Sequence, residues 1–222
     1  MLLSQNSKLK ATSRKNKIDV YNFGIPAFKS KTGLRTCPNA GACASGCYAQ
    51  SGAYRFSNVA AAFEARLVAT TKDDFPVQVG AEILKALKTA TKRGHKLVIR
   101  VHDSGDFYSP RYQLSWYHVA RAFPEVLFYA YTKQVVQSVA LSGAQPLNFT
   151  LIYSMGGLQD KFIQATDRHS KVFESLADLT KAGYADASSD DLVALGENAK
   201  IGLVYHHAKS YSNTLWASVS KA

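Results

Sequence analysis

The 222-residue chain is 46% hydrophobic and 19% charged, and its 27 basic and 16 acidic residues give a formal net charge of +11. That apolar share is typical of a globular protein and excludes a disordered tail, and the length suits one domain. No apolar run is long enough to span a bilayer, and residues 1–5 are too short an apolar stretch for a signal peptide. We therefore expect a cytoplasmic protein without a membrane partner.

The basic charge is concentrated near the start of the chain. Residues 1–35 contain eight basic side chains and only Asp19 as an acid, a balance of 8 − 1 = +7. We predict that residues 1–16 form a basic, poorly ordered arm and that residues 17–222 form a single α/β domain. Such an arm can attract nucleic acid without sequence specificity, and the alternative is a solvated terminus.

Strands and helices alternate along the rest of the chain. Hydrophobic patterns and turn residues predict strands over residues 17–28, 96–102, 126–131, 149–153, 171–173 and 201–205. They predict helices over residues 59–71, 76–92, 112–122, 135–141, 175–182 and 190–195. About six strand–helix units favour a partial (βα)6 barrel with mainly parallel strands, and a doubly wound open sheet is the alternative.

Polar or glycine-rich residues follow each predicted strand. In either architecture these positions gather at one rim, beyond the carboxyl ends of the strands, where ligands bind. The first strand is followed by a loop over residues 31–50 that contains all three cysteines of the chain. The later strands are followed by Asp103, Ser104, Gly105 and Asp106, by Lys133, by Ser154, and by His206 and His207.

The three cysteines form the sharpest motif. Cys37, Cys43 and Cys47 have the spacing Cys-x5-Cys-x3-Cys, and an odd cluster of this kind is a poor disulfide framework. Thiolates suit soft metals, and three of them can hold a 4Fe-4S cluster with one iron left open for a small-molecule ligand. A zinc site with His102 or His206 as the fourth ligand is one alternative, and three reduced thiols are the other.

The layout resembles that of radical S-adenosylmethionine proteins, in which three loop cysteines after the first strand precede a series of strand–helix units. The sequence departs from the usual Cys-x3-Cys-x2-Cys spacing, and Gly46 stands where an aromatic residue usually precedes the third cysteine. The resemblance implies a 4Fe-4S cluster whose open iron binds S-adenosylmethionine. It also implies reductive cleavage of that cofactor to a radical that abstracts hydrogen from a substrate.

Three further segments resemble a bacteriophage-associated family called gene product eighty-eight. They are CPNAGACASGCYAQ, RVHDSGDFYS and IGLVYHH. This resemblance implies a phage or prophage origin, a cluster site and a location in the host cytoplasm, but no particular reaction.

The segment from Asp103 to Asp106 stands where radical S-adenosylmethionine proteins carry a Gly-Gly-Glu stretch that receives the cofactor's amino group. A carboxylate of Asp103 or Asp106 would accept from that ammonium, and Ser104 and Gly105 would allow close backbone approach. The alternative is a capping turn before the next helix. Lys133 would meet the cofactor's carboxylate and Ser154 would border its ribose or adenine, unless they are ordinary loop and turn residues.

These observations leave three hypotheses for function. The first is a radical S-adenosylmethionine-type enzyme, and the second is a non-enzymatic iron–sulfur protein that binds a ligand or transfers electrons. The third is a zinc-dependent nucleic-acid-binding protein that uses the basic arm. The substrate, the electron donor and the catalytic residues are not predicted.

Overall fold

The structure is a computed structural model that describes residues 1–205. Within them, seven strands form one parallel sheet in the order β1-β2-β3-β4-β5-β7-β6, curled into half a barrel. The strands are β1 (Ile18–Phe23), β2 (Lys96–Val101), β3 (Leu127–Thr132), β4 (Phe149–Ser154), β5 (His169–Phe173), β6 (Ala185–Asp186) and β7 (Lys200–Val204). The helices are α1 (Ser7–Asn16), α2 (Ser57–Thr70), α3 (Phe75–Lys92), α4 (Pro110–Ala122), α5 (Val135–Ala140) and α6 (Leu176–Lys181).

The predicted α/β class and parallel sheet are confirmed, with one strand more than expected. The two-residue strand β6 is too short to produce a hydrophobic period, so the sequence gives no signal for it. The chain places β7 between β5 and β6, whereas β1 to β5 follow one another in sequence order. The predicted helix over residues 190–195 is a 3₁₀ helix, Asp191–Leu195.

The convex side of the sheet is covered by α2, α3 and α4. Alternate residues of β2, such as Ile99, face these helices and join a large apolar core, which we call the outer cluster. Its centre is aromatic, since the ring centroids of Phe23, Phe75 and Trp116 lie 5.1–5.7 Å apart. All three rings are fully buried.

The concave side of the sheet is covered by α1 and by the 3₁₀ helix Asp191–Leu195. The apolar core here, which we call the inner cluster, is smaller and comprises Leu9, Val20, Val98, Tyr129, Ile152, Ala187, Ala194 and Ile201. It closes the amino-terminal end of the half-barrel. The carboxyl ends of the strands remain open on this side.

The first 16 residues are packed against the sheet, which corrects the expectation of a poorly ordered arm. The backbone of Ser4 pairs with that of Asn22 on the edge strand β1, through hydrogen bonds of 2.9 and 2.7 Å. The Asn6 side chain caps α1, and Leu9 is fully buried in the inner cluster. Lys10, Arg14 and Lys15 are exposed on the outer face of α1, whereas Lys8 points to the concave side and pairs with Asp191. The high basic charge of this segment obscured its amphipathic pattern. Within residues 1–205 no helix has both the length and the apolar composition to cross a membrane.

Candidate functional site

A cavity of about 370 Å³ opens at the carboxyl ends of the strands on the concave side. Two predicted residues, His206 and His207, lie outside the described residues. Every other residue predicted for the site lines the cavity: Cys37, Cys43, Cys47, Asp103, Ser104, Gly105, Asp106, Lys133 and Ser154. The structure thus brings the strand-end residues together, as a parallel sheet requires.

The cysteine loop is a series of short 3₁₀ turns fastened to the loop that follows β4. The backbone N–H of Cys43 donates to the carbonyl of Gly156 over 3.1 Å, and that of Leu158 donates to the carbonyl of Asn39 over 2.9 Å. A Cβ on Gly41 would come within 3.0 Å of the Gly156 oxygen, so glycine is needed for this close approach. Backbone contacts, rather than a local apolar core, therefore position the cysteines.

The thiols are half-buried, and two of them accept backbone hydrogen bonds. Phe28 donates its N–H to Cys37 Sγ over 3.3 Å, and Cys47 accepts from the backbone N–H groups of Ala49 and Gln50. Burial raises the pKa of Cys37 to about 12, and the nearby Asp106 acts in the same direction. Burial also raises the pKa of Cys47, while Lys133 opposes that change. Without a bound cation these two groups are therefore neutral thiols at pH 7.

Among residues 1–205 no group of three or more His, Cys, Asp or Glu is arranged to hold a single metal ion. A tetrahedral ion draws every thiolate to about 2.3 Å from one centre. In a four-iron cluster each thiolate binds a different iron, so the sulfurs stand further apart. Three thiols line one cavity, and two of them have backbone N–H donors to sulfur, which is the donor chemistry that such a cluster uses.

His102 is bonded through Nε2 to Tyr112, and among residues 1–205 it forms no metal-binding group with the cysteines. Its Nε2 lies 2.9 Å from the hydroxyl of Tyr112, and its ring packs edge-on against Phe107. Burial, with a further effect of Arg100, lowers the pKa of His102 to about 3, so the imidazole is neutral. The backbone of His102 has φ = 68°, a left-handed conformation that is strained in a non-glycine residue.

The backbone of the segment 103–106 fastens the cysteine loop to the sheet. The N–H of Asp106 donates to the carbonyl of Thr36 over 3.0 Å, directly before Cys37 in the chain. The hydroxyl of Tyr48, directly after Cys47, donates to the carbonyl of Asp103. Both ends of the cysteine motif are thus held by the same four residues after β2.

Ser104 and Gly105, the two small residues of this segment, both contact Ile25, which lies just after the end of β1. The hydroxyl of Ser104 donates to the carbonyl of Ile25 over 2.8 Å. Gly105 has φ = +82°, and a Cβ there would come within 2.2 Å of Ile25 Cγ1. The close approach expected for this pair is therefore made to the backbone and side chain of Ile25. The cap of α4 is Ser109, whose hydroxyl accepts from the N–H of Tyr112, and not the segment 103–106.

The carboxylate of Asp106 is held by three donors of the protein. It accepts from the hydroxyl of Thr132 over 2.6 Å and from the backbone N–H groups of Phe107 and Lys133 over 2.7 and 2.9 Å. Burial raises the pKa of Asp106, and these hydrogen bonds oppose that change. Asp106 therefore positions the end of β3 beside the cysteine loop.

Lys133 and Ser154 are bonded to each other. Lys133 Nζ donates to Ser154 Oγ over 2.7 Å, to the Ser154 carbonyl over 3.0 Å and to the Met155 carbonyl over 3.2 Å. Three acceptors match the three donors of an ammonium group. The pair joins the ends of β3 and β4.

The carboxylate of Asp103 lies against the end of β1. A Cβ on Gly24 would come within 1.9 Å of Asp103 Oδ1, and Tyr54 donates its hydroxyl to Oδ2 over 3.4 Å. Burial raises the pKa of Asp103, while Arg100 and Arg66 oppose that change.

A buried charged cluster lines the inner part of the cavity and was not anticipated from the sequence. Arg100 Nη1 donates to Asp191 Oδ2 over 2.9 Å, Tyr129 donates its hydroxyl to the same oxygen over 2.7 Å, and Lys8 pairs with Asp191 Oδ1. Although burial alone would raise the pKa of Asp191, Arg100 and Lys8 lower it to about 2. The available signal was Arg100 itself, which interrupts an apolar strand at the same parity as the inward-facing Val98.

Comparison with known proteins finds a matching family but no matching solved structure. The model of a family described as Gene product 88 matches residues 1–215. The Gene 88 protein of Mycobacterium phage D29 is 35% identical over 68 residues, and that of Mycobacterium phage L5 is 33% identical over 72 residues. These matches cover 31% and 32% of this chain, and only 28% and 30% of the two relatives. No solved structure matches the chain, so the likeness to radical S-adenosylmethionine proteins stays a prediction.

Proposed function

The chain belongs to the gene product 88 family, and we propose that it is an iron–sulfur protein in which Cys37, Cys43 and Cys47 hold a 4Fe-4S cluster. The proposal is carried by one observation. The three thiols line the same cavity as the polar residues at the strand ends, and that cavity has space for a small molecule beside them. The fourth iron would face this space.

The residues around the thiols suit an anionic cluster. The N–H groups that point at Cys37 and Cys47 stabilise thiolates, and the ammonium of Lys133 also favours the charged form of Cys47. The loop shields the thiols from water, as their burial indicates. When bound, such a cluster supplies one-electron chemistry and an open iron that can take a ligand.

The enzymatic form of the proposal adds S-adenosylmethionine as that ligand. Its ammonium would lie against Asp103 or Asp106, its carboxylate near Lys133, and its ribose or adenine near Ser154. For Asp106 and Lys133, these contacts would replace or share hydrogen bonds that the protein already makes. That observation favours the second candidate, a non-enzymatic cluster protein that binds a ligand or transfers electrons.

Anaerobic reconstitution with iron and sulfide tests the cluster. Wild-type protein should gain a brown chromophore, and Cys37→Ala, Cys43→Ala and Cys47→Ala should each lose most of it. Ser45→Ala is the matched control, because Ser45 is an exposed residue of the same loop whose hydroxyl bonds locally to the Ala42 carbonyl. A chromophore that survives in all three cysteine variants contradicts the proposal, as does stoichiometric zinc in protein isolated without oxygen.

The electron paramagnetic resonance spectrum of the reduced protein separates the two candidates. A spectrum that changes when S-adenosylmethionine is added supports the enzyme, and Asp103→Asn should then weaken that response without lowering the iron content. A spectrum indifferent to S-adenosylmethionine supports the non-enzymatic protein.

A further inference from the structure

We propose that the inner part of the cavity binds the carboxylate or phosphate group of a small-molecule ligand, with Arg100 contacting the anion and Asp191 holding Arg100 in position. This subsite lies deeper than the cysteine loop. It requires no metal, so it stands or falls independently of the cluster.

Two cations in this part of the cavity share one carboxylate. Lys8 and Arg100 both line the cavity, and both pair with Asp191. The other carboxylate near Arg100 belongs to Asp103, which also faces Arg66, while Arg66 faces Glu82 as well. A ligand that brings a negative charge to Lys8 and Arg100 gives them a second anionic partner and gains binding energy there.

Arg100 retains donors for such a ligand. Within residues 1–205 its guanidinium donates one hydrogen bond, from Nη1 to Asp191, while Nε has no acceptor. A guanidinium carries five N–H donors in a rigid fork that matches the oxygens of a carboxylate or phosphate. The guanidinium donors that have no acceptor among these residues are available to an anion in the cavity that Arg100 lines.

The guanidinium is also held in one orientation before any ligand arrives. The ring of Tyr131 lies against it, with Arg100 Cζ 5.3 Å from the ring centroid. Asp191 is itself fixed by Tyr129 and Lys8 and is only 1% exposed. A fixed guanidinium loses little freedom on binding, which favours affinity.

The rest of the wall limits the ligand to a small molecule. Tyr131 presents its aromatic ring to Arg100, and Val172 and Leu203 add apolar surface elsewhere in the wall of the same cavity. A cavity of about 370 Å³ holds a small acid or a phosphorylated metabolite but not a folded polymer segment. A few charged and polar groups in a mainly apolar wall are the usual composition of such a pocket.

Isothermal titration of the full chain at low ionic strength tests the proposal, with succinate and pyrophosphate as probes and succinamide as the uncharged control. Wild type should bind at least one anion and bind succinamide about tenfold more weakly or not at all. Arg100→Met should weaken anion binding by about tenfold or more, and Arg100→Lys by less. Arg111→Met, which removes an exposed arginine paired with the exposed Asp73, should leave the affinity unchanged.

Asp191→Asn should change the affinity for the anion in the opposite direction. An increase in affinity separates ligand binding from a purely structural role, because a loss of structure would lower it. Asn keeps an oxygen that can accept from Arg100 and hold it in position, but it removes the negative charge that competes for Lys8 and Arg100, so the same anion should bind several-fold more tightly. If Arg100→Met does not fold, Arg100→Lys and Asp191→Asn still decide the question. Equal affinity in wild type, Arg100→Lys and Asp191→Asn would overturn the proposal, as would no preference of wild type for either anion over succinamide. The preference between succinate and pyrophosphate assigns the carboxylate or the phosphate.

Discussion

The two faces of the parallel sheet differ in what they bury. The convex face packs the aromatic centre of the outer cluster, in which Phe23, Phe75 and Trp116 have no exposed surface. The concave face buries a smaller apolar cluster and, above it, the charged groups Lys8, Arg100 and Asp191. Neighbouring residues of one strand supply both, since Ile99 faces the helices and Arg100 faces the cavity. The convex face therefore contains the larger apolar core, and the concave face carries the candidate functional site.

The largest effect is expected on the convex face. Trp116→Ala should lower the free energy of unfolding by about 3–5 kcal/mol, because it leaves a cavity among packed rings. Denaturant unfolding measures this loss. Anion binding at the concave face should be unchanged in the folded fraction, and a loss of binding in step with stability would show that the two faces are not separate.

The next effect tests whether the start of the chain belongs to the concave face. Leu9→Ala should cost about 2–5 kcal/mol of unfolding free energy, because Leu9 is fully buried in the inner cluster. Lys10→Ala is the matched control on the exposed side of α1 and should change stability by less than about 0.5 kcal/mol. Equal stability of the two variants would restore the expectation of an unpacked arm.

The difference between the faces also explains what could be predicted from the sequence. The strands and the helices that form the outer cluster have recognisable hydrophobic periods. The predicted bounds of β2 and α3 agree with the structure within one or two residues. The convergence of the cysteines and strand-end residues followed from parallel topology alone. The concave face was harder to predict, because buried polar residues interrupt its hydrophobic pattern. Arg100 and Asp191 are paired with residues distant in the sequence. The exposed basic residues of α1 obscured the helical pattern of its buried side.

The same limit applies to the roles of the predicted residues. Aspartate, serine and glycine after a strand suit a ligand site and a structural turn equally well, so their types do not distinguish the two. The structure shows that Asp106 and Ser104 bond to protein groups from β3 and the first loop. Those partners come from other parts of the chain, which local sequence cannot specify.

His102, which lines the cavity, should make the free energy of unfolding depend on pH. Burial lowers the pKa of His102 to about 3, whereas an unfolded histidine titrates near 6.5. Below pH 6.5 the unfolded state takes up a proton that the folded state does not, so this contribution to stability is complete above pH 6.5 and falls as the pH drops towards 3. The slope is at most about 1.4 kcal/mol per pH unit.

Unfolding titrations of wild type and His102→Gln between pH 7.5 and 5 measure this contribution as a difference. The variant should lose less stability on acidification than wild type, by up to about 1.4 kcal/mol per pH unit below 6.5. Parallel pH profiles would mean that His102 titrates in the folded protein with the pKa of an unfolded histidine, which would contradict the effect of its burial.

The smallest effect concerns the exposed charges of α1. Lys10, Arg14 and Lys15 are exposed on a packed helix, and we propose that they contribute non-specific affinity for nucleic acid. Replacing all three by Gln should lower the salt dependence of DNA binding by about 0.9 in slope for each phosphate that is no longer neutralised, with little change in stability. An unchanged slope would remove nucleic acid from the partners of this surface.

The central claim is that three cysteines on the open rim of the concave face hold a 4Fe-4S cluster, and iron and acid-labile sulfide in anaerobically purified protein test it most directly. We expect about four irons and four sulfides per chain, and close to none in the triple variant Cys37→Ala, Cys43→Ala, Cys47→Ala. Trp116→Ala, changed only on the convex face, should keep its iron when folded. Iron that persists in the triple variant, or its absence from wild type, would contradict the account.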